Sequence, residues 1–180
     1  GTVSGTVTGS TAPASSPFIL DPVPDAGLSS ARTNNNNASI NPSFLINGTE
    51  LNLSGTDSLS LAAGVYYFTQ WTLAGQSTIS INGKVTIYVE GGSIKETGGS
   101  AVNSTKLPAN LTIYHKAPVG TECSIRGGTA FYGTIYAPDS NVSLTGSSGF
   151  FGAVAGRTVT LSGGTSFHAD TSLLGKSGYS

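Results

Sequence analysis

The side chains best suited to acid–base or metal chemistry in this 180-residue sequence are Glu122, Asp139, Asp170, His115 and His168. His168 and Asp170 stand two apart in a strand-like stretch, a spacing that turns both to one face. A metal centre needs three or four ligands, and no second His/Asp pair occurs at ligand spacing. A hydrogen bond that closes the end of an element is the expected use of the pair. Hydrolase or lyase chemistry on polysaccharides needs clustered carboxylates, often with a basic residue or Ca²⁺. Acidic residues total 9, and Asp21, Asp25, Asp57, Asp139 and Asp170 share no offset that would gather them. The Gly127-Gly128 and Gly163-Gly164 pairs precede no helix and lack the Gly-Lys-Ser/Thr element of a phosphate loop. No catalytic residue, metal site or cofactor is therefore expected. The densest aromatic group is Tyr66, Tyr67, Phe68 and Trp71. Exposed, such rings stack on sugars; buried, they fill a core. Tyr66, Tyr67 and Trp71 are the candidate ligand-binding residues, with alternation sending Tyr66 and Phe68 one way and Tyr67 the other.

The lone cysteine, Cys123, lies in Glu122-Cys123-Ser124-Ile125, so no intrachain disulfide forms and the thiol reads as a small buried hydrophobe. Charged residues make up 9 % of the chain and the formal net charge is -1. That leaves no field to attract nucleic acid or an anionic membrane. No apolar run reaches the roughly 18 residues of a spanning helix, so membrane insertion is not expected. The sequence begins at Gly1 and has no methionine, which reads as a mature or excised piece of a longer precursor. Sequons at Asn37, Asn47, Asn52, Asn103, Asn110 and Asn141 fit an exported protein.

The elements that must position these groups are short strands. Three segments align without gaps: Ser124-Ile125-Arg126-Gly127 to Phe131, Ser143-Leu144-Thr145-Gly146 to Phe150, and Thr160-Leu161-Ser162-Gly163 to Phe167. Each has a small hydroxyl residue, an aliphatic residue, any residue and a glycine, then an aromatic six places beyond the aliphatic. Leu53-Ser54-Gly55, Leu73-Ala74-Gly75 and Ile94 extend the series towards the N-terminus. The long step from Ile94 to Ile125 is assigned to an insertion over Gly98 to Asn110. A period of about 17–21 residues is the length of a solenoid coil, in which like residues stack over like. Stretches such as Val85-Thr86-Ile87-Tyr88-Val89 alternate as half-buried strands do. An antiparallel sandwich also has many short strands but needs no turn motif at a fixed period. The expected fold is all-β: a single-domain β-solenoid (β-helix) over residues 51–180, with an irregular N-terminal arm over residues 1–50. The arm, with its prolines and the Asn34 to Asn37 run, is the candidate cap for the first coil, or a segment laid along a neighbour.

Further stretches carry a resemblance. Ala63-Gly64-Val65-Tyr66-Tyr67-Phe68, Lys84 to Val89, Asn110 to Tyr114, Gly133-Thr134-Ile135-Tyr136-Ala137-Pro138, Gly152 to Ala155 and Phe167-His168-Ala169-Asp170 follow one another in that order. In this the chain resembles an uncharacterised bacterial domain of exported, cell-surface and pilus-associated proteins, over about residues 58–174. The resemblance implies a β-solenoid and a surface location and brings no catalytic residues. A more distant likeness is to ice-binding β-solenoids, whose active face is a flat rank of threonines. Here Thr6/Thr8 and Thr158/Thr160 read as isolated pairs. The expected role is that of a non-catalytic structural or adhesive domain, extracellular or at the cell surface, contacting itself or another surface protein. Thr2, Val3, Thr6 and Val7 are its candidate assembly contacts. The alternative is a glycan-binding module around Trp71; polysaccharide catalysis and ice binding rank below it.

Overall fold

The computed structural model describes residues 19–103, 105–128, 130–146 and 149–170. Thr2, Val3, Thr6 and Val7 lie outside these residues. One helix, α1 (Asp25–Thr33), and two single 3₁₀ turns precede the strands. The strands are β1 (Leu45–Ile46), β2 (Glu50–Leu53), β3 (Ser58–Phe68), β4 (Gln70–Leu73), β5 (Thr78–Glu90), β6 (Ile94–Glu96), β7 (Ala101–Val102), β8 (Leu111–Lys116), β9 (Glu122–Gly127), β10 (Phe131–Gly146), β11 (Gly149–Ser162) and β12 (Ser166–Ala169).

The long strands bend at corners, so each coil contributes to three parallel ladders. The first face stacks β2, β4, β6, β9 and the later parts of β10 and β11. The second stacks the starts of β3 and β5, then β7, the starts of β10 and β11, and β12. The third stacks the later parts of β3 and β5, then β8 and the middles of β10 and β11. The protein is thus an all-β, single-domain β-solenoid of about 6 coils. Parallel stacking puts equivalent side chains one above another, and the core is a set of columns. One runs Leu51, Trp71, Ile94, Cys123, Val142, Val159, and another Leu59, Ile79, Val102, Phe131, Phe150, Phe167.

The corner after the first face is a column of glycines, Gly55, Gly75, Gly98, Gly127, Gly146 and Gly163, all at positive φ. Coils meet there by backbone alone. The Gln76 N–H donates to the Gly55 carbonyl at 2.6 Å and the Gly99 N–H to that of Gly75 at 2.7 Å. A side chain on Gly75 would place its Cβ 2.7 Å from the Gly55 carbonyl oxygen. Only glycine meets both the dihedral and the spacing.

Two sequence expectations need correction. The aliphatic position of the third coil is not Ile94, which stacks on Trp71 and under Cys123; the column Leu53, Leu73, Ile125, Leu144, Leu161 takes Glu96 as its third member. The excess length of that coil lies between β7 and β8, inside the segment assigned to an insertion. Nor is the arm irregular throughout, since α1 forms directly after Pro24. Asp25 in its first turn and Arg32 in its last suit the helix dipole. Nine residues including Gly27 are marginal as an isolated helix, so its stability comes from the surface on which it lies.

Candidate contact surfaces

The aromatic group around Trp71 is core. Trp71 and Tyr66 are each 1 % exposed, Phe68 is fully buried, and Phe68 meets Trp71 edge-on at 5.9 Å. No sugar ring reaches Trp71 or Tyr66, so the ligand platform does not form, and their burial answers the choice that composition left open. Tyr67 points out, as alternation requires, and its hydroxyl donates to Glu90 at 2.9 Å. Cys123 is buried and its thiol is pushed up to about 12, chiefly by burial, as an inert packing residue would be. His115 is buried between Gly92 and Ser140: Nε2 lies 2.7 Å from the Gly92 carbonyl and Nδ1 3.0 Å from the Ser140 hydroxyl. Burial holds its pKa below the ordinary imidazole value, so the neutral ring ties the third coil to the fifth. His168 is exposed and stacks on Phe151 at 4.4 Å, while the Asp170 backbone N–H donates to Gly152 at the end of the last described coil. Among the described residues no three His, Cys, Asp or Glu side chains gather as a metal site would require.

The outside of the third face carries a ladder that the strands bring into register: Tyr67, Tyr88, Tyr114 and Tyr136. Tyr88 and Tyr114 stack at 5.2 Å, and Tyr136 meets Tyr114 edge-on at 6.1 Å. The arm lies along this ladder. Val23, Leu28 and Ala31 pack with Tyr88, and the Tyr136 hydroxyl donates to the Asp21 carbonyl at 2.6 Å. Gly27 is where the Tyr88 hydroxyl abuts the helix, leaving no space for a Cβ. Arg32 forks onto Glu90, with Nε 2.8 Å from Oε2. These bonds, with that from Tyr67, hold the Glu90 carboxyl below its ordinary range. Thr86, Thr112 and Thr134 form a second column beside the tyrosines, from the Thr-Ile-Tyr that recurs in three coils. Pro22 and Pro24 border a cavity of about 300 Å³ whose other wall is Thr112, Tyr114, Thr134 and Tyr136, so the arm overhangs this part of the face.

The two ends of the stack differ. Over the first coil, Ile40 enters the core with Phe44 and Leu45 beside it, and β1 pairs antiparallel with β2. The asparagine run completes the closure. The Asn37 side chain accepts from Tyr67 N–H at 3.1 Å and donates to its carbonyl at 2.6 Å, and Asn36 accepts from Val65 N–H at 3.1 Å. An exposed strand edge is a template for pairing, and amide side chains here occupy it. At the other end, the same core columns emerge into solvent. Val159 is 39 % exposed where Leu51 is 1 %, and Leu161 46 % where Leu53 is fully buried. Phe167 is 38 % exposed, at the end of the stack formed with Phe131 and Phe150. Beside it a surface stack of Tyr132, Phe151 and His168 runs at 4.4–4.5 Å spacing. Among the described residues, the last coil presents apolar side chains and ring faces together at an unpaired strand edge. The sequence pattern points to a contact segment in the arm and is silent about this end, because exposure depends on what lies above a coil.

One family matches the chain, described as a domain of unknown function, DUF7305, over residues 70–175, from the first residue of β4 onward. No curated protein and no solved structure matches it.

Proposed function

Because the chain belongs to the DUF7305 family, whose function is itself unknown, its role rests on its own geometry, and we propose a non-catalytic contact domain that works by docking its last coil. The observation that carries this reading is the emergence of Val159, Leu161 and Phe167 from core columns closed at the other end. Strand edges of this kind bind by adding a strand or by meeting another sheet. The near-neutral, hydroxyl-rich surface suits an extracellular or cell-surface setting, where the domain holds itself or another surface protein without turnover. The glycan reading is weakened by the burial of Tyr66 and Trp71, two of its three residues; Tyr67 stays on the outer face, engaged with Glu90.

Sedimentation velocity over a wide concentration range, on the wild type and on a Val159→Lys/Leu161→Glu variant, tests this. Concentration-dependent association that the variant abolishes is the expected result for self-contact. A wild-type monomer throughout moves the search to other surface proteins, by pull-down with the wild type against the variant. Association or capture that the variant leaves intact overturns the assignment of the last coil.

A further inference from the structure

Glu96 occupies a core position in a column otherwise built of Leu and Ile, between Leu73 of β4 and Ile125 of β9. It is 3 % exposed, and among the described residues neither carboxylate oxygen has a hydrogen bond of normal geometry. Ser100 lines the same cavity; its hydroxyl lies 3.4 Å from the Thr97 carbonyl, and its pull on the Glu96 carboxyl lowers the pKa by less than burial raises it. The cavity at the carboxyl is about 10 Å³, lined by Ser100, Ile125, Arg126, Gly127, Ala130 and Phe131. That is no more than one water's worth of space, too little for a hydrated counter-ion. The Arg126 guanidinium is turned outward, to Ser124 at 2.7 Å and Glu122 at 2.9 Å. Among the described residues no cation faces this position, and a buried carboxylate without a counter-charge is among the costliest groups a core can hold.

We propose that a proton on Glu96 is the ligand that closes the third coil, making the solenoid a pH-sensitive stack that loosens between its second and fourth coils when the carboxyl ionises. This is independent of the contact role of the last coil. The other titratable group facing Glu96 is Cys123 on β9; β4, β7 and the start of β10 present Leu73, Val102 and Phe131 to the same core, and Lys95, Glu122 and Arg126 lie outside the first face.

The sign follows from linkage. Burial pushes the folded-state pKa of Glu96 from 4.5 up to about 8, so the folded chain retains a proton that the unfolded chain loses near 4.5. Stability from this group is complete below 4.5 and is lost as pH rises to about 8, the unfolding constant growing by about tenfold per pH unit. His115, lowered by burial, acts with the opposite sign and only as pH falls through the ordinary 6.5. Cys123, raised to about 12, acts with the same sign but only above 9.0. Between pH 6.5 and 8 the loss of stability belongs to Glu96, and the weaker opposing slope of His115 near 6.5 is common to the wild type and a Glu96 variant.

The test is urea denaturation of the wild type and Glu96→Gln between pH 6.5 and 8, followed by fluorescence of the lone, buried Trp71 on the adjacent strand. The expected result is an unfolding constant that climbs with pH in the wild type relative to the variant, by about tenfold per pH unit at first and less as pH nears 8. Parallel profiles overturn the proposal. Infrared difference spectra of the wild type between pH 6.5 and 9 need no variant: a protonated-carboxyl band that disappears over this range supports it, and no such band at pH 6.5 overturns it.

Discussion

The first and last coils are built from the same columns, yet one is part of a core and the other is a surface. Leu53 and Leu161 belong to one column, separated by four stacked partners, and both follow the same aliphatic-x-glycine pattern. They differ in what lies beyond them. Ile40, Phe44, Leu45 and the side chains of Asn36 and Asn37 close the first coil, whereas Leu161 faces solvent. A solenoid coil has no inside of its own; its neighbours supply one. Among the described residues the first coil receives such a cover and the last does not.

The largest effect that would break this comparison is a pair of equivalent truncations. Leu53→Ala removes a fully buried side chain and should cost about 2–5 kcal/mol in chemical denaturation. Leu161→Ala, at the same position in its coil, should cost under about 1 kcal/mol, because much of its surface is already in water. Equal losses would mean that the last coil is buried in the protein under study. Next comes the cap itself. Asn37→Ala leaves the Tyr67 N–H and carbonyl without their side-chain partners and should cost about 1–3 kcal/mol, with faster amide exchange confined to the first coil. Exchange that quickens equally at the last coil would show that the two ends do not behave as separate regions.

The smallest effect concerns the arm that lies along the tyrosine ladder. Arg32 holds the Glu90 carboxyl low, so this pair adds stability that is present above 4.5 and is lost as pH falls through the depressed folded value. The pair is partly exposed, so Glu90→Gln should change global stability by under about 1 kcal/mol while making the arm easier to cleave by protease. The variant should also flatten the acid limb of arm protection. An unchanged acid limb would remove Glu90 from the latch.

Much of the architecture is legible in the order of residues along the chain. Alternation in Val85 to Val89 marks the strands, and the aligned triplet ending in Phe131, Phe150 and Phe167 stacks in register as its period requires. The third coil is hidden from a search for aliphatic residues, which passes over Glu96, although Glu96-Thr97-Gly98 keeps the glycine that marks the corner. The helix is hidden because small residues and Gly27 give it little propensity of its own; its stability lies in the ladder of tyrosines drawn from four coils.

By itself the sequence determined the parallel coil, its period and its glycine corner, since these depend on residues that are neighbours along the chain. Tertiary structure decided which coil sits over which, and hence that Glu96 is entombed, that Tyr66 and Trp71 are core, and that Leu161 is exposed where Leu53 is not. Burial is a property of stacked neighbours about 20 residues away or more, and no local pattern records whether such a neighbour is present.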